Sequence, residues 1–572
     1  MINITDNKIN SDIAPWSVLY NDDAFIAKEG TLMGRHAAGS AYLRAIAQMG
    51  YKEASVITRN NNAKQNFLNL FKSYLGETKI DMEIFPWDKP FLSEKYGGIF
   101  IGDPQIGNFS ILRSDFGHDK YSIIGITHTT MSRGIMDFIG DILIKPVQEW
   151  DALICTSKCV KDTVDDILSF HMESLKERVG AKNFVKPQLP IIPLGVHTED
   201  YNFSQKEKTE IREKLGINKE DIALTFVGRL SFHAKAHHFP MYKALQSIAK
   251  NLEGKRNIHL IQIGWFANDY ISNIMKSEAK NICPDVSCHF IDGLDQKNKN
   301  AILSSSDIFI SLTDNFQETF GLTPIEAMAA GVPSVVTDWN GYKDTVRNGK
   351  DGFTVPTISL KEGGGTDLLY QYFSHIINYD QYIGYASHRV AVDIDMCIKR
   401  ITELINDSSM RKKMSESGKR RANEKFSWNK VMNSYADLRN QLNTIRLDSN
   451  LKDKSVNYIS GLEPMKIFKS YPTSTLNENH KFFNKVDDLL TEDDYLFSSN
   501  SINITQDIND LDTEYLGLKV DINSVNSIIN VLKEKNLMLK EIYSKLDIPE
   551  SLINKTIIIM LKFDIIGLDQ KV

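Results

Sequence analysis

Glu318 and Glu326 stand eight residues apart in the stretch DIFISLTDNFQETFGLTPIEAMAAGVPSVVTDWNGYKDTVRNGKDGFTVP (307–356), with Phe320, Gly321, Leu322 and Thr323 between them. Carboxylates so placed can accept hydrogen bonds from ligand hydroxyls, and one beside a reacting carbon stabilises developing positive charge. Two cations, Arg229 and Lys235, follow an apolar run and Gly228. Fixed cations offset the charge of an anionic leaving group such as a diphosphate. His128 closes another apolar run, SIIGITHT, between Thr127 and Thr129. Taken alone, a histidine at a strand end is more often structural than catalytic.

These side chains need elements to hold them. The run at 308–312 predicts a strand and the loop after it carries Glu318. Thr323 reads as an N-cap, Pro324 as the first helical residue and Glu326 as the close of a T-x-x-E capping box. Gly331 stops that helix, and Val335, Val336 and Thr337 resume an extended run. Such a strand–loop–helix–strand unit sets a loop and a helix N-terminus at the carboxyl end of a parallel strand. Open α/β sheets bind ligands at that edge, and the N–H groups from Phe320 to Thr323 can meet phosphate there.

Further strands are predicted at 55–58, 99–102, 123–126, 152–156, 223–227, 259–263 and 287–291. Helical spacing runs from 39 to 49 and ends at Gly50, and again from 394 to about 443. A polar connection, 199–210, separates two α/β series. The triplet Gly363, Gly364, Gly365 reads as an irregular, mobile insertion. Asp393 and Asp395 open a helical pattern, where capping explains them better than metal binding.

The order of these motifs resembles the retaining glycosyltransferases of the GT-B fold, the large group 1 (family-four-like) set that includes bacterial polysaccharide and lipopolysaccharide transferases. The 318–326 segment resembles its E-x7-E motif, and FVGRL (226–230) with Lys235 its basic pair. WDALICTS (150–157) and IIPLGVHTEDY (191–201) resemble the close of its N-terminal domain, and FSW (426–428) its terminal aromatic signature. The resemblance implies two Rossmann-like domains facing a cleft. The expected division is 1–200 on the acceptor side, 201–448 for the nucleotide sugar with crossing helices at its end, and 449–572 as an accessory module. It also implies that Arg229 and Lys235 hold the donor diphosphate, that Glu318 faces the donor sugar and that Glu326 binds ribose. His128 contacts the sugar in this reading. Gly34, His36 and Gly39 of MGRHAAGS take the place of the first glycine-rich loop, although their spacing departs from the usual tight glycine pair. No metal or other cofactor is required. The expected substrates are a nucleotide-diphosphate sugar and a glycan, lipid-linked or peptide acceptor. The alternatives are a sugar-nucleotide-binding scaffold or regulator, and a GT-B-type epimerase or phosphorylase, for which no pyridoxal-phosphate lysine motif is evident.

A chain of 572 residues, 42% hydrophobic and 24% charged, is expected to hold two or three soluble domains. Its net charge of −6 gives no reason to expect nucleic-acid binding. Five cysteines make no disulfide framework in a chain this long, which fits a reducing cytosol. The N-terminus lacks the regions of a signal peptide, and no run approaches the ~20 apolar residues of a membrane span. The expectation is a cytoplasmic protein, with peripheral attachment to the inner face of a membrane still compatible.

After residue 451 the composition changes: 14 lysines, no arginine and 19 acids give a balance of −5. Helices are expected at 525–535, 540–546 and 551–563, a three-helix pattern suggesting a winged-helix-like module. An acidic, arginine-free module binds phosphate poorly, so protein docking or self-association suits 449–572 better than DNA.

Overall fold

The computed structural model describes residues 14–26, 34–76, 78–449, 461–491 and 521–569. Its first sheet is built from β1 (Ser17–Tyr20), β2 (Glu53–Thr58), β3 (Asp81–Pro86), β4 (Gly98–Ile101), β5 (Ser122–Ile126) and β6 (Ala152–Ile154). The strands are parallel, in the order β3-β2-β1-β4-β5-β6. A second parallel sheet holds β7 (Ile222–Val227), β8 (Ile258–Gly264), β9 (Val286–Asp292), β10 (Ile308–Ser311), β11 (Ser334–Thr337) and β12 (Gly352–Val355). Its order, β12-β11-β10-β7-β8-β9, repeats the first winding strand for strand. Helices cover both faces, so the central strands are mostly apolar: β5, β7 and β10 are buried at every residue. In each sheet the winding reverses once, between β1 and β4 and between β7 and β10. Ligands of doubly wound sheets bind outside the strand ends at that switch point. The molecule thus has two Rossmann-like α/β domains.

Several local expectations change. The MGRHAAGS glycines are not in a loop. Gly34 opens a helix, Gly34–Gln48, which takes in His36 and Gly39; Met33 lies outside the described residues. Gly39 serves close packing, since a Cβ there would stand 2.4 Å from the Ala24 carbonyl oxygen. The 152–156 run stops as a strand at Ile154, and β5 ends two residues before His128. Strands β1, β3 and β12 add to those expected. The 199–210 connection turns helical at its end, over Gln205–Lys214. Asp393 does cap its helix, accepting from the Met396 N–H at 2.9 Å.

The domains are tied together by the chain's return. Helix Trp428–Asp448 crosses from the second domain to the first, where Tyr435 packs on Trp16, Tyr42 and Phe100. The Val196 N–H donates to the Phe426 carbonyl (2.8 Å) and the Trp428 N–H to the Val196 carbonyl (3.3 Å). Gly195 is needed there because a Cβ would lie 2.4 Å from the Trp428 ring. Beneath the first sheet, fully buried Arg113 and Asp151 form a two-pronged pair at 2.5 and 2.7 Å. Asp151 also accepts from the Ile123 and Gln148 N–H groups, which completes the satisfaction of a charge far from water.

After β12 the chain makes an excursion. Strands β13 (Thr357–Ser359) and β14 (Val390–Val392) pair antiparallel at its base, and helices Thr366–Phe373 and Tyr379–Ser387 lie between them. The glycine triplet is therefore one turn of a structured excursion: Arg389 donates to the Gly364 carbonyl and pairs with Asp367 at 2.6 and 2.7 Å.

Residues 460–572 form a separate compact unit. It contains helices Ile522–Glu534, Leu539–Lys545 and Glu550–Lys562, within a residue or a few of the expected ones. A small antiparallel sheet accompanies them, with β15 (Lys481–Asn484) between β16 (Leu537–Met538) and β17 (Ile566–Leu568). Its own core includes Phe482, Val525, Ile528, Ile529, Ile553 and Ile557. No described helix is long and apolar enough to cross a membrane.

Candidate functional site

The switch point of the second sheet carries the predicted cations and acids. Beyond β7 come Gly228 and Arg229; beyond β10, a loop from Leu312 to Gly321 carries Glu318. Lys235 Nζ donates to Glu318 Oε2, and both side chains are mostly buried, 19% and 13% exposed. Burial works against the Lys235 ammonium, yet the Glu318 carboxylate and the neighbouring Tyr342 phenol hold its pKa above the ordinary lysine value. Burial lowers the Arg229 pKa, against the pull of Asp380 and Tyr379. Its guanidinium lies 5.9 Å from the Trp265 ring, and it has no ion pair within the described residues.

The strand ends around Arg229 are stripped of side chains. A Cβ on Gly264, at the end of β8, would stand 1.9 Å from the Gly228 carbonyl oxygen. One on Gly293, just past β9, would stand 2.9 Å from the Gly264 Cα. Three adjacent strand ends therefore present bare backbone beside a cation, as close approach of a phosphate-bearing ligand requires.

The helix after the Glu318 loop begins earlier than its local pattern predicts. It spans Leu322–Ala330, with Gly321 as N-cap at φ 95° and no capping side chain. Only glycine fits, because a Cβ would lie 2.4 Å from the Tyr342 ring. Thr323 becomes the second helical residue, and the capping box does not form. Glu326, a turn inside the helix, instead pairs with Lys299 at 2.9 Å. Burial, and then this carboxylate, hold the adjacent Tyr201 phenol well above its usual pKa. With capping removed as its explanation, Glu326 is a mostly buried acid facing a lysine. Lys299 was missed because it lies outside any motif, and Tyr201 because it closes the 191–201 motif far from Glu326 in sequence. Phe320 is buried and packs on Phe426, Leu322 lies against the same core, and the first-turn N–H groups lack intrahelical partners, as at every helix start.

The first domain meets this loop directly. Thr319 Oγ1 donates to the His128 carbonyl (3.0 Å), and Ser157 Oγ to the Thr319 carbonyl (2.8 Å). The Lys158 N–H donates to Asp344 Oδ2 at 2.5 Å. Burial pushes the His128 imidazole down to about 4, with Arg35 adding to the shift, so it is neutral at pH 7. His128, Lys235, Glu318 and Arg229 are thus brought to one cleft, while Glu326 sits a helical turn away. Gly34 opens a helix of the first domain. The described residues contain no group of three or more histidines, cysteines or acids able to hold a metal.

Fold and site together define a two-domain α/β protein with a cationic, carboxylate-lined cleft at the switch points, the GT-B arrangement. Residues 207–362 match the family model of the glycosyl transferases group 1, a span that holds Arg229, Lys235, Glu318 and Glu326. Spore coat protein SA of Bacillus subtilis is 24% identical over 238 residues, 41% of this chain and 52% of that protein. An uncharacterized glycosyltransferase of Methanocaldococcus jannaschii is 24% identical over 190 residues, 32% of this chain and 45% of the other. The chain spans about half the length of the curated relatives it matches. A glycosyltransferase structure from Rickettsia africae aligns with 75% of this chain and 98% of its own at 13% identity, with a TM-score of 0.49.

Proposed function

We propose that this chain is a retaining glycosyltransferase that moves a hexose-type sugar from a nucleoside-diphosphate donor to a glycan, lipid-linked or peptide acceptor. The observation that carries this reading is the Lys235–Glu318 pair beside Arg229, at the switch point of a group 1 glycosyl transferase domain. Departure of a diphosphate leaves an oxocarbenium-like carbon. Arg229 and Lys235 take the negative charge, aided by the first-turn N–H groups from Phe320 to Thr323. Glu318, released from Lys235 as the diphosphate arrives, accepts sugar hydroxyls beside the reacting carbon. Neutral His128 donates or accepts at the sugar without adding a cation near it. Glu326, held by Lys299, accepts from the ribose hydroxyls. Gly34 contributes to the opposite wall. Domains divide near residues 200 and 448 in this reading, the first presenting the acceptor in the cytoplasm.

A panel of UDP-, GDP- and ADP-sugars, assayed for hydrolysis without acceptor, tests the donor class; no turnover of any would overturn the reading. The product is expected to keep the donor's anomeric configuration by NMR. Activity is expected to survive EDTA, because fixed cations meet the diphosphate. Full loss restored by magnesium or manganese contradicts that part.

A further inference from the structure

The excursion Thr357–Val392 contacts both walls of the cleft. On the side of the second domain, a Cβ on Gly384 would stand 3.0 Å from the His233 Cβ, and His233 lies between Arg229 and Lys235 in the chain. Asn315, from the loop that carries Glu318, donates to the His233 carbonyl (2.8 Å) and to Ser387 Oγ (3.1 Å). On the side of the first domain, the chain after His128 meets the same excursion. Met131 packs with Phe316, Tyr372 and Tyr382 around buried Leu368, Ile377 and Ala386. The Arg133 guanidinium sits over the Phe373 ring at 4.4 Å. Tyr372 and Tyr382 stack at 4.6 Å and 8°, which locks the two helices of the excursion to each other.

Tyr379 and Asp380 open the second of these helices, whose Gly384 lies against His233. The Tyr379 hydroxyl interacts with Thr129, one residue past His128, and burial pushes its pKa up to about 12. Asp380 is the leading opposing charge felt by Arg229 and also acts on His233. An acid in the first turn of a helix is favoured by the helix dipole, which accounts for a carboxylate there. It does not account for its acting on Arg229, a cation with no ion pair among the described residues.

We propose that the excursion is the roof of the site, with Tyr379 and Asp380 as positioning residues between Arg229 and Thr129. The inference rests on the reading of Arg229 as a diphosphate-binding cation. A docking diphosphate takes Arg229 from the field of Asp380, and the roof must part from Met131 and Arg133 to admit it. Lids of this kind exclude water while the reaction proceeds.

UDP, GDP and inorganic pyrophosphate serve as probes with the full chain, by calorimetry and stopped flow. Asp380→Asn removes a negative charge facing the ligand's own partner, and is expected to tighten binding about threefold. A structural residue would give unchanged or weaker binding. Phe373→Ala, remote from the ligand, is expected to raise association and dissociation rates together by about threefold or more, with Kd within about twofold. An unchanged or weaker Kd in folded Asp380→Asn, or unchanged rates in folded Phe373→Ala, overturns the roof. Arg229→Ala separates the two readings: its loss of affinity, beside inert roof variants, sinks the roof alone. Undiminished affinity in Arg229→Ala, or no binding of any probe to the wild-type chain, overturns both.

Discussion

Lys235 and Glu318 are each other's partner before any substrate arrives, which makes their single variants unequal. Lys235→Ala leaves a mostly buried carboxylate without its cation and is expected to cost about 1–3 kcal/mol of stability. Glu318→Gln keeps an amide that can still accept from Lys235 and costs less. Both are expected to lower donor turnover at least ~100-fold, the usual effect of losing a charge contact made in the transition state. Urea midpoints beside turnover distinguish the two effects. Near-normal turnover in either variant removes that residue from the reaction. The buried groups nearby make stability depend on pH in opposite senses. His128 falls from 6.5 to about 4, so between those values the unfolded chain binds its proton first and stability drops as pH falls. Buried Asp314, beyond β10, rises from 3.8 to about 7, so the folded chain holds its proton and stability drops as pH climbs toward 7. From pH 5 to 7, His128→Asn is expected to lose ground against the wild type by about 2 kcal/mol, and Asp314→Asn to gain about 2 kcal/mol. Other depressed histidines, His237 among them, tilt the wild-type curve itself, so the differences between variant and wild type are the readout.

At the scale of elements, the apolar runs that predict strands lie where both sheet faces are covered, and those strands are found. The strands that pattern reading overlooked have a physical reason for silence. β3 and β12 are edge strands: β3 begins at exposed Asp81 and has charged Glu83 within it, and β12 starts at a glycine that reads as a turn. β1, central and buried, is only four residues long. Thr323 and Glu326 failed as a capping box because a glycine backbone at φ 95° and a distant lysine outweigh a local pattern worth about 1 kcal/mol. Arg229, Lys235 and Glu318 were legible because each follows a strand end. Lys299, Tyr379 and Asp380 were not, since only the folded chain brings them near. The WDALICTS and IIPLGVHTEDY motifs owe much of their residue choice to packing. Asp151→Asn leaves Arg113 buried beside a neutral amide and is expected to cost about 3–5 kcal/mol in urea unfolding. Gly195→Ala drives a methyl into the Trp428 ring, at about 1–3 kcal/mol. A neutral result at Asp151 means the buried pair contributes less than its contacts imply, and one at Gly195 that the crossing is looser than it looks.

For the whole molecule, the question is which parts carry the donor site. The crossing helix ends at Asp448, and the compact unit before residue 460 contains every cation and acid of the cleft. The unit from 460 onward has its own core and sheet. A chain cut between Ser449 and Ile459 is therefore expected to keep full donor affinity and slow donor hydrolysis. A cut before Tyr435 removes the side chain that packs on Trp16, Tyr42 and Phe100, and is expected to lose both. Residues 460–572 alone are expected to unfold cooperatively and, being acidic and without arginine, to leave DNA unbound. If that unit docks an acceptor carrier or a second copy of the chain, its loss weakens acceptor use or lowers the mass seen by light scattering, with calorimetric donor affinity unchanged. Lost donor affinity in a folded chain cut at 449–459 contradicts this division, because it would mean that the C-terminal unit completes the cleft. Tight, salt-sensitive DNA binding by the isolated unit would instead turn the protein toward regulation, since only a cluster of cations absent from its overall balance could produce it.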